Sequence, residues 1–406
     1  MRIPALSIII LFVVSFLIDL YISIDVKQLF GKNWRNLYFI TALLCWALLI
    51  VTISLPRRDA GSGISVVMWL LFTYLSIYLG KLVYIICSAI GRLVRSVARI
   101  KWDIYPSRWI GLLLGASFCG IMWTGAAYTR HHIMIVDEEF YSPKLPESFD
   151  NYKIVQLSDL HVGTWGADKT FLQNLVDTVN SLKPDLIVFT GDIVNRQASE
   201  LVPFIDVLSK FKAKDGIYSI LGNHDYGDYV DWNSPAERDE NNRRLAQIEH
   251  QMGWKLLNNE SVFVRNGSDS ILLIGVENWG EPPFPVYGDL NRAATLQQQN
   301  DYNYKILLSH NPEHWNREVS KKTNIDLTLS GHTHAMQAII KFGKWKWSPA
   351  KYRYEQWGGR YSRLNPNGEA TSLYVNTGAG AVGMPARLMA ANPEVTLITL
   401  KKGELH

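Results

Sequence analysis

Four long apolar runs occupy the first 130 residues: Leu6 to Ile24, Leu37 to Leu55, Ile64 to about Ala89 and Trp109 to about Ala127. A helix needs about 20 such residues to cross the hydrocarbon core of a bilayer, where no water satisfies an exposed backbone. The pattern predicts four membrane-spanning helices over residues 1–130. A secretory signal peptide competes for the first run, but three further spans follow and no small-residue cleavage site stands out. Asp19 is expected near a span end, and Lys81 is expected to snorkel or to mark a shorter third span.

Orientation follows from Lys and Arg near the ends of the spans. Lys27, Lys32 and Arg35 follow the first run, and Arg92, Arg95, Arg99, Lys101 and Arg108 follow the third. Only Arg2, Arg57, Arg58 and Arg130 lie on the other side, so eight basic residues stand against four. The chain is therefore expected to sit in a cytoplasmic (inner) membrane with its remaining domain on the outer, periplasmic or extracellular, face. Residues 131–150, with Pro143 and Pro146, are expected to be a linker to a globular domain over residues 151–403.

That domain alternates short apolar, β-branched runs with helical stretches, as a layered α/β domain does. Strands are expected at Ile154 to Leu157, Leu186 to Thr190, Ile217 to Leu221, Ile306 to Leu308 and Leu327 to Leu329. Helices are expected at Lys169 to Leu182, Ser199 to Phe211 and Ala236 to Met252, and a hairpin joins Ser261–Arg265 to Ile271–Val276. Most of the strands are followed by polar residues of one chemical kind. These read Ser158-Asp159-Leu160-His161, Gly191-Asp192, Gly222-Asn223-His224-Asp225, Ser309-His310 and Gly331-His332-Thr333-His334. Singly, each is a turn, a helix cap or a hydrogen-bonded histidine. Five in register supply the carboxylate, imidazole and carbonyl donors that divalent cations need at one end of a sheet.

These segments resemble the calcineurin-like metallophosphoesterases, whose pattern is D-x-H, GD, GNH(D/E), a lone H and GHxH, over about Tyr152 to Leu400. The C-terminal stretch Asn376-Thr377-Gly378-Ala379-Gly380 through Met384-Pro385-Ala386-Arg387 is similar to a bacterial phosphodiesterase branch of that family. The resemblance implies an α/β fold, a four-layer α/β/β/α sandwich, behind the membrane helices. It implies that Asp159, His161 and His334 hold one metal, that Asn223, His310 and His332 hold a second, and that Asp192 bridges them. It further implies a hydroxide between the ions attacking phosphorus in line, with His224 protonating or stabilising the leaving oxygen. Two divalent ions are expected, Mn²⁺ first, with Fe, Zn²⁺ and Mg²⁺ as alternatives because such ligands suit several metals.

Two departures stand out. Relatives often read GDxxDR where this chain has Gly191-Asp192-Ile193-Val194-Asn195-Arg196, so an amide replaces a carboxylate that orients the catalytic histidine. Asn195 and Arg196, with Arg387, are the candidate substrate-binding residues, Arg196 by forking onto phosphate oxygens. Ala335-Met336 stand where relatives often carry Gly-Gly, and are expected to narrow the approach to the metals.

Between Lys341 and Arg363, seven basic residues alternate with seven aromatics and one acid, Glu355. Rings settle at bilayer headgroups and cations attract anionic lipid, so this rim is expected to dip into the interface and guide a lipid phosphate. An irregular lid packed on its own rings is the other reading, and Trp279 with Pro282-Pro283-Phe284-Pro285 is a second candidate apolar edge. The expected activity is metal-dependent phosphoester or pyrophosphate hydrolysis, on a lipid-linked or envelope substrate. A phosphodiesterase for soluble nucleotides and a non-enzymatic transport or signalling protein are the alternatives. Against transport, the spans carry hardly an ionisable residue besides Lys81 and Asp19. The net charge of +4 is too small to suggest nucleic acid, and Cys45, Cys87 and Cys119 all fall in the spans, leaving no disulfide framework.

Overall fold

A computed structural model describes residues 5–56, 63–99, 106–282, 285–295 and 303–404. The chain divides into two compact units, a helical one within residues 1–127 and an α/β one from Tyr128 onward. Arg2, Arg57, Arg58, Lys101, Pro283 and Phe284, which the sequence reading used, lie outside the described residues.

The helical unit holds α1 (Ala5–Phe30), α2 (Lys32–Ser54), α3 (Ser65–Val97) and α4 (Pro106–Ala127), all long and apolar enough to cross a membrane. Gly31 alone separates α1 from α2, at a φ of 93° that suits a residue without Cβ. Cys45, Cys87 and Cys119 lie unpaired on α2, α3 and α4.

Two sequence expectations fail in this unit. Asp19 is buried inside the bundle, where it accepts hydrogen bonds from Tyr38 (2.5 Å), Trp46 (3.0 Å), Tyr78 (2.7 Å) and Lys81 (2.7 Å). Lys81 therefore neither snorkels nor ends a span, and α3 runs through it without a break. The scarcity of ionisable groups fails too, because α1 continues past Ile24 to bury Asp25. That carboxylate pairs with Arg92 and with Arg108 (2.8 Å) and accepts from Tyr84 and Ser88, each at 2.9 Å. A charge inside apolar surroundings is tolerated only when paired and hydrogen-bonded, and hydropathy alone cannot show such pairing.

The α/β unit begins earlier than expected. β1 (Met134–Ser142), expected within a linker, lies parallel to β15 (Glu394–Lys402) along its whole length. Its alternation of half-buried and exposed residues suits an edge strand, whose signal is weaker than that of a buried one. Arg130, counted as a loop charge, lies 4.6 Å from the Trp165 ring.

One six-stranded sheet has the order β1-β15-β2-β3-β4-β5, with β2 (Lys153–Leu157), β3 (Leu186–Phe189), β4 (Ile217–Ser219) and β5 (Lys255–Leu256) parallel. The other has the order β12-β13-β9-β8-β7-β6, from β6 (Glu260–Asn266), β7 (Asp269–Gly275), β8 (Lys305–Leu308), β9 (Leu327–Ser330), β12 (Gly359–Leu364) and β13 (Ala370–Val375). β10 (Ala338–Phe342), β11 (Trp345–Trp347) and β14 (Leu388–Met389) form a small third sheet.

The alternation of side chains across a strand sorts the core into layers. Ile154, Leu186 and Val188 of the first sheet pack on Leu273, Ile306, Leu308 and Leu329 of the second. Their neighbours Val155, Ile187 and Phe189 face α5 (Thr170–Ser181) and α7 (Pro235–Gln251), while Leu272, Leu307 and Leu373 face Trp315 and Val319. This is the α/β/β/α sandwich. The helix expected over Ser199–Phe211 is three short pieces instead, the last being α6 (Ile205–Leu208). Pro203 at the start of the middle piece has no N–H to continue the preceding turn. Ser234 caps α7 through the Glu237 amide, as Ser-x-x-Glu predicts.

Candidate metal centre

The candidate ligands follow the C-terminal ends of β2, β3, β4, β8 and β9, so the parallel direction of these strands gathers five loops at one edge of the two sheets. The loops are stitched by backbone hydrogen bonds from Asp159 N to Gly191 O (2.9 Å), His161 N to Asp192 O (3.2 Å) and Gly331 N to His310 O (3.0 Å). Asp159, His161, Asp192, His332 and His334 all sit at positive φ, between 44° and 75°. Such backbone costs on the order of 1–3 kcal/mol per residue and persists where the surroundings over-determine it. Gly222 must be glycine for a different reason, since a Cβ there would collide with the Asp192 carboxylate.

The donor atoms converge in two groups that share Asp192. Asp159, His161, Asp192 and His334 form one, and Asp192, His310 and His332 the other, with the donors of each group within 4.8 Å of one another. His161 Nε2 lies 3.0 Å from His334 Nε2, His334 Nε2 lies 3.1 Å from Asp159 Oδ1, and His310 Nε2 lies 3.2 Å from Asp192 Oδ2. Nitrogens turned away from the groups are engaged: His161 Nδ1 donates to Val194 O (3.1 Å) and His310 Nδ1 to Thr190 O (2.7 Å). Each such bond fixes the tautomer and leaves the other nitrogen a lone pair for a cation. Asn223 Nδ2 donates to Tyr229 (3.0 Å), while its Oδ1 is buried with no hydrogen-bond partner. An orphaned buried carbonyl beside two such groups fits a hard or borderline divalent ion.

The electrostatics agree. Burial draws His332 down to about 3. Burial also opposes a charge on His310, yet the adjacent Asp192 carboxylate holds that imidazole up at about 9. Against the opposing effect of burial, the surrounding histidines keep Asp192 well below the usual carboxylate range. A cation entering here meets an ionised carboxylate and displaces the proton of its histidine partner.

His224 lies with its ring edge-on to His161 at 4.8 Å and stacked on Tyr229 at 4.3 Å. Its Nδ1 donates to the backbone carbonyl of Asn195 (2.7 Å), while the Asn195 side chain donates to Thr164 (3.0 Å). The backbone, rather than the side chain at the substituted position, therefore orients this histidine. The two arginines proposed for substrate are occupied. Arg196 is buried and pairs with Glu200 (3.3 Å). Arg387 is fully buried and spends Nε on Gly380 O (2.6 Å), Nη1 on Ala391 O (3.3 Å) and Asn392 O (3.2 Å), and Nη2 on Thr377 O (2.8 Å), with His334 Nδ1 at 3.4 Å. Four of its N–H groups thus go to backbone carbonyls, and the remaining one, on Nη2, lies on the His334 side. Burial lowers this guanidinium to about 10, still charged at neutrality.

Asp225 was read only as part of a motif, yet it accepts from the backbone amides of Asp192 (2.7 Å), Gly222 (2.8 Å) and Val194 (3.2 Å), clamping two ligand loops together. Tyr354, read in the sequence only as one aromatic of the basic rim, meets His332 Nε2 through its hydroxyl at 3.1 Å. Ala335 and Met336 adopt φ of 48° and 46°, a backbone conformation that favours glycine.

The comparisons with known proteins follow the same division. Residues 152–336 match the calcineurin-like phosphoesterase family, and residues 1–130 match the family described as "Probable Calcineurin-like phosphoesterase, transmembrane domain". The chain belongs to the calcineurin-like metallophosphoesterases. It is 32% identical over 281 residues to a transmembrane protein with metallophosphoesterase domain from Danio rerio, covering 66% of this chain and 57% of that protein. The metallophosphoesterase YkuE of Bacillus subtilis is 29% identical over 71% of this chain and 95% of its own length. The UDP-2,3-diacylglucosamine pyrophosphatase LpxG of Chlamydia muridarum is 29% identical over 50% of this chain and 70% of its own. The chain thus spans little more than half of the Danio rerio relative.

The Arg387 geometry generates a test. Arg387→Lys leaves several buried carbonyls without donors, each costing about 1–3 kcal/mol, so the melting temperature is expected to fall by several degrees even without substrate. An unchanged melting temperature with a raised KM would return Arg387 to substrate binding.

Proposed function

We propose that this metallophosphoesterase is a membrane-anchored hydrolase of phosphate esters or pyrophosphates that works with two divalent ions. The carrying observation is the convergence of two donor groups on one shared carboxylate, beside the unspent Asn223 oxygen. Asp159, His161 and His334 would hold one ion, Asn223, His310 and His332 the other, and Asp192 both. Once bound, such a pair supplies an activated water and neutralises charge on the phosphoryl oxygens, with Mn²⁺ the leading choice. His224, held through Nδ1–H, presents Nε2 to the leaving oxygen, to which the imidazolium form of the ring would hand the Nε2 proton. Purified protein with Mn²⁺ is expected to hydrolyse an aryl phosphodiester, and Asp192→Ala is expected to lose turnover and metal content by elemental analysis. Unchanged turnover in that variant removes Asp192 from its place.

The substrate reading is a lipid-linked or envelope phosphoester. It is supported by the hairpin of β10 and β11, whose tip exposes Phe342 (74%) and Trp345 (54%) between Lys341, Lys344 and Lys346. Rings and lysines on a hairpin tip suit a headgroup layer. Elsewhere in the rim Tyr352 is also exposed (77%), while Arg360 lies over Phe140 and Arg363 over Trp315, and Trp279 stacks on His314 instead of forming an apolar edge. The LpxG relative, named for a diacylated sugar nucleotide, points the same way. Replacing Lys344, Trp345 and Lys346 by Ser is expected to slow hydrolysis of a phospholipid in vesicles at least about tenfold more than that of a soluble ester, assuming about 1 kcal/mol per basic residue at an anionic surface. Equal slowing favours a soluble substrate.

The charge count favours an outer-face α/β unit, since Lys27, Lys32, Arg35, Arg92, Arg95 and Arg108 all lie where α1 ends, α2 begins, α3 ends and α4 begins. A phosphatase reporter fused to the C-terminus, active only outside the cytoplasm, is the expected result. Reporter activity inside overturns the orientation.

A further inference from the structure

The second donor group is flanked by two phenols whose hydrogen-bond roles can be worked out atom by atom. Asn223 Nδ2 can only donate, so the Tyr229 oxygen 3.0 Å away is the acceptor. His332 turns Nδ1 toward His310 Nε2 (3.3 Å), inside the donor group, so a cation held there would take that lone pair and leave the proton on Nε2. His332 Nε2–H would then donate to the Tyr354 hydroxyl, 3.1 Å away, making this phenol an acceptor as well. In the metal-loaded site each phenol would thus give up a lone pair and keep its own O–H.

Both rings are fixed. Tyr229 stacks on His224 at 4.3 Å and 18°. Tyr354 stands edge-on to His332 at 5.4 Å, with the Arg353 guanidinium 5.2 Å from its ring centre, and Arg353 is tied to the buried Glu281 (3.1 Å). The two phenols thus each meet a candidate ligand of the second ion, Tyr229 at Asn223 and Tyr354 at His332. The guanidiniums expected to meet substrate are spent elsewhere, Arg196 on Glu200 and Arg387 on backbone carbonyls.

From this arrangement, and resting on the hydrolase reading above, we infer that Tyr229 and Tyr354 donate their hydroxyl protons to the substrate phosphoryl group and select a singly charged diester or pyrophosphate over a dianionic monoester. The chemistry of the donors carries the selection. Beyond the two ions, two neutral O–H groups add hydrogen bonds for the non-bridging oxygens of a singly charged group without adding charge, whereas a third terminal oxygen and a second charge call for a further cation such as a free arginine.

The test uses the full chain in detergent and the variants Tyr229→Phe, Tyr354→Phe and the double variant. Because phenylalanine also removes the acceptor for Asn223 or His332, all measurements are made at Mn²⁺ concentrations where elemental analysis shows full occupancy. Each variant is expected to lower kcat/KM for bis(4-nitrophenyl) phosphate roughly 10- to 100-fold, as loss of one donor to a charged oxygen does. 4-Nitrophenyl phosphate turnover is expected to change much less. Calorimetric binding of dimethyl phosphate to the Mn²⁺-loaded protein is expected to weaken about tenfold or more, and binding of inorganic phosphate to hold. Equal slowing of both esters at full occupancy overturns the proposal, leaving the tyrosines as positioning residues for Asn223 and His332. So does dimethyl phosphate binding unchanged in the double variant. Should the wild-type chain hydrolyse neither ester, the hydrolase reading fails on its own, and the dimethyl phosphate arm still decides whether the phenols grip a phosphoryl anion.

Discussion

Asp192 stands where the two sheets meet, and the surrounding architecture serves to hold its carboxylate, with that of Asp159, away from water among imidazoles. Its oxygens face His310 from the second sheet and His161 from the first, and accept the His224 amide at 2.8 Å. Removing a carboxylate from water costs several kcal/mol before any partner is counted. Partial compensation by histidines explains why Asp192 stays ionised while burial suppresses His332. The braces around the pair are densely hydrogen-bonded: Asp225 takes three backbone amides, and Arg387 spends four N–H groups on backbone carbonyls behind His334. A half-satisfied network there would be worse than an apolar one.

The strands and the candidate ligands were legible because each candidate sits about two to four residues past a short, continuously buried strand, so an unbroken apolar run and residue type announce both at once. What escaped the sequence is instructive in kind. The internal bonds of Arg196 and Arg387 escaped the sequence because a basic residue in a conspicuous motif reads alike whether its donors face a ligand or the protein's own carboxylates and carbonyls. Asn195 looked like a substituted orienting group, but the orienting atom is a backbone carbonyl, which every residue type carries. Tyr354 lies 20 residues beyond the last ligand and reaches His332 only through the third dimension. β1 hid in a supposed linker because an edge strand buries few residues and leaves little pattern.

In the membrane half, hydropathy located the helices and missed the chemistry between them. Asp19 accepts from four donors on α2 and α3, and Asp25 gathers side chains of α3 and α4. Polar contacts between membrane helices are each worth only about 1 kcal/mol, yet an unpaired carboxylate there is far costlier, so these networks specify how α1 meets its neighbours more than they add stability. The case against transport accordingly shifts its ground. It no longer rests on a lack of ionisable groups. It rests on their saturation, since a carboxylate holding four donors has no lone pair spare for a passing ion.

Saturation also marks the contrast between the two units. In the helical unit the two buried carboxylates, Asp19 and Asp25, are answered by the protein itself. In the metal centre one carbonyl of Asn223 and two phenol protons are left over, on a backbone whose left-handed ligand residues cost free energy that sheet packing must offset. Strain and unspent hydrogen-bonding capacity at one place are tolerated when something outside the chain completes them. The unspent oxygen calls for a cation and the unspent protons for an anion. Cations and a phosphoryl group, meeting between Asn223, Tyr229, His332 and Tyr354, satisfy both demands at once.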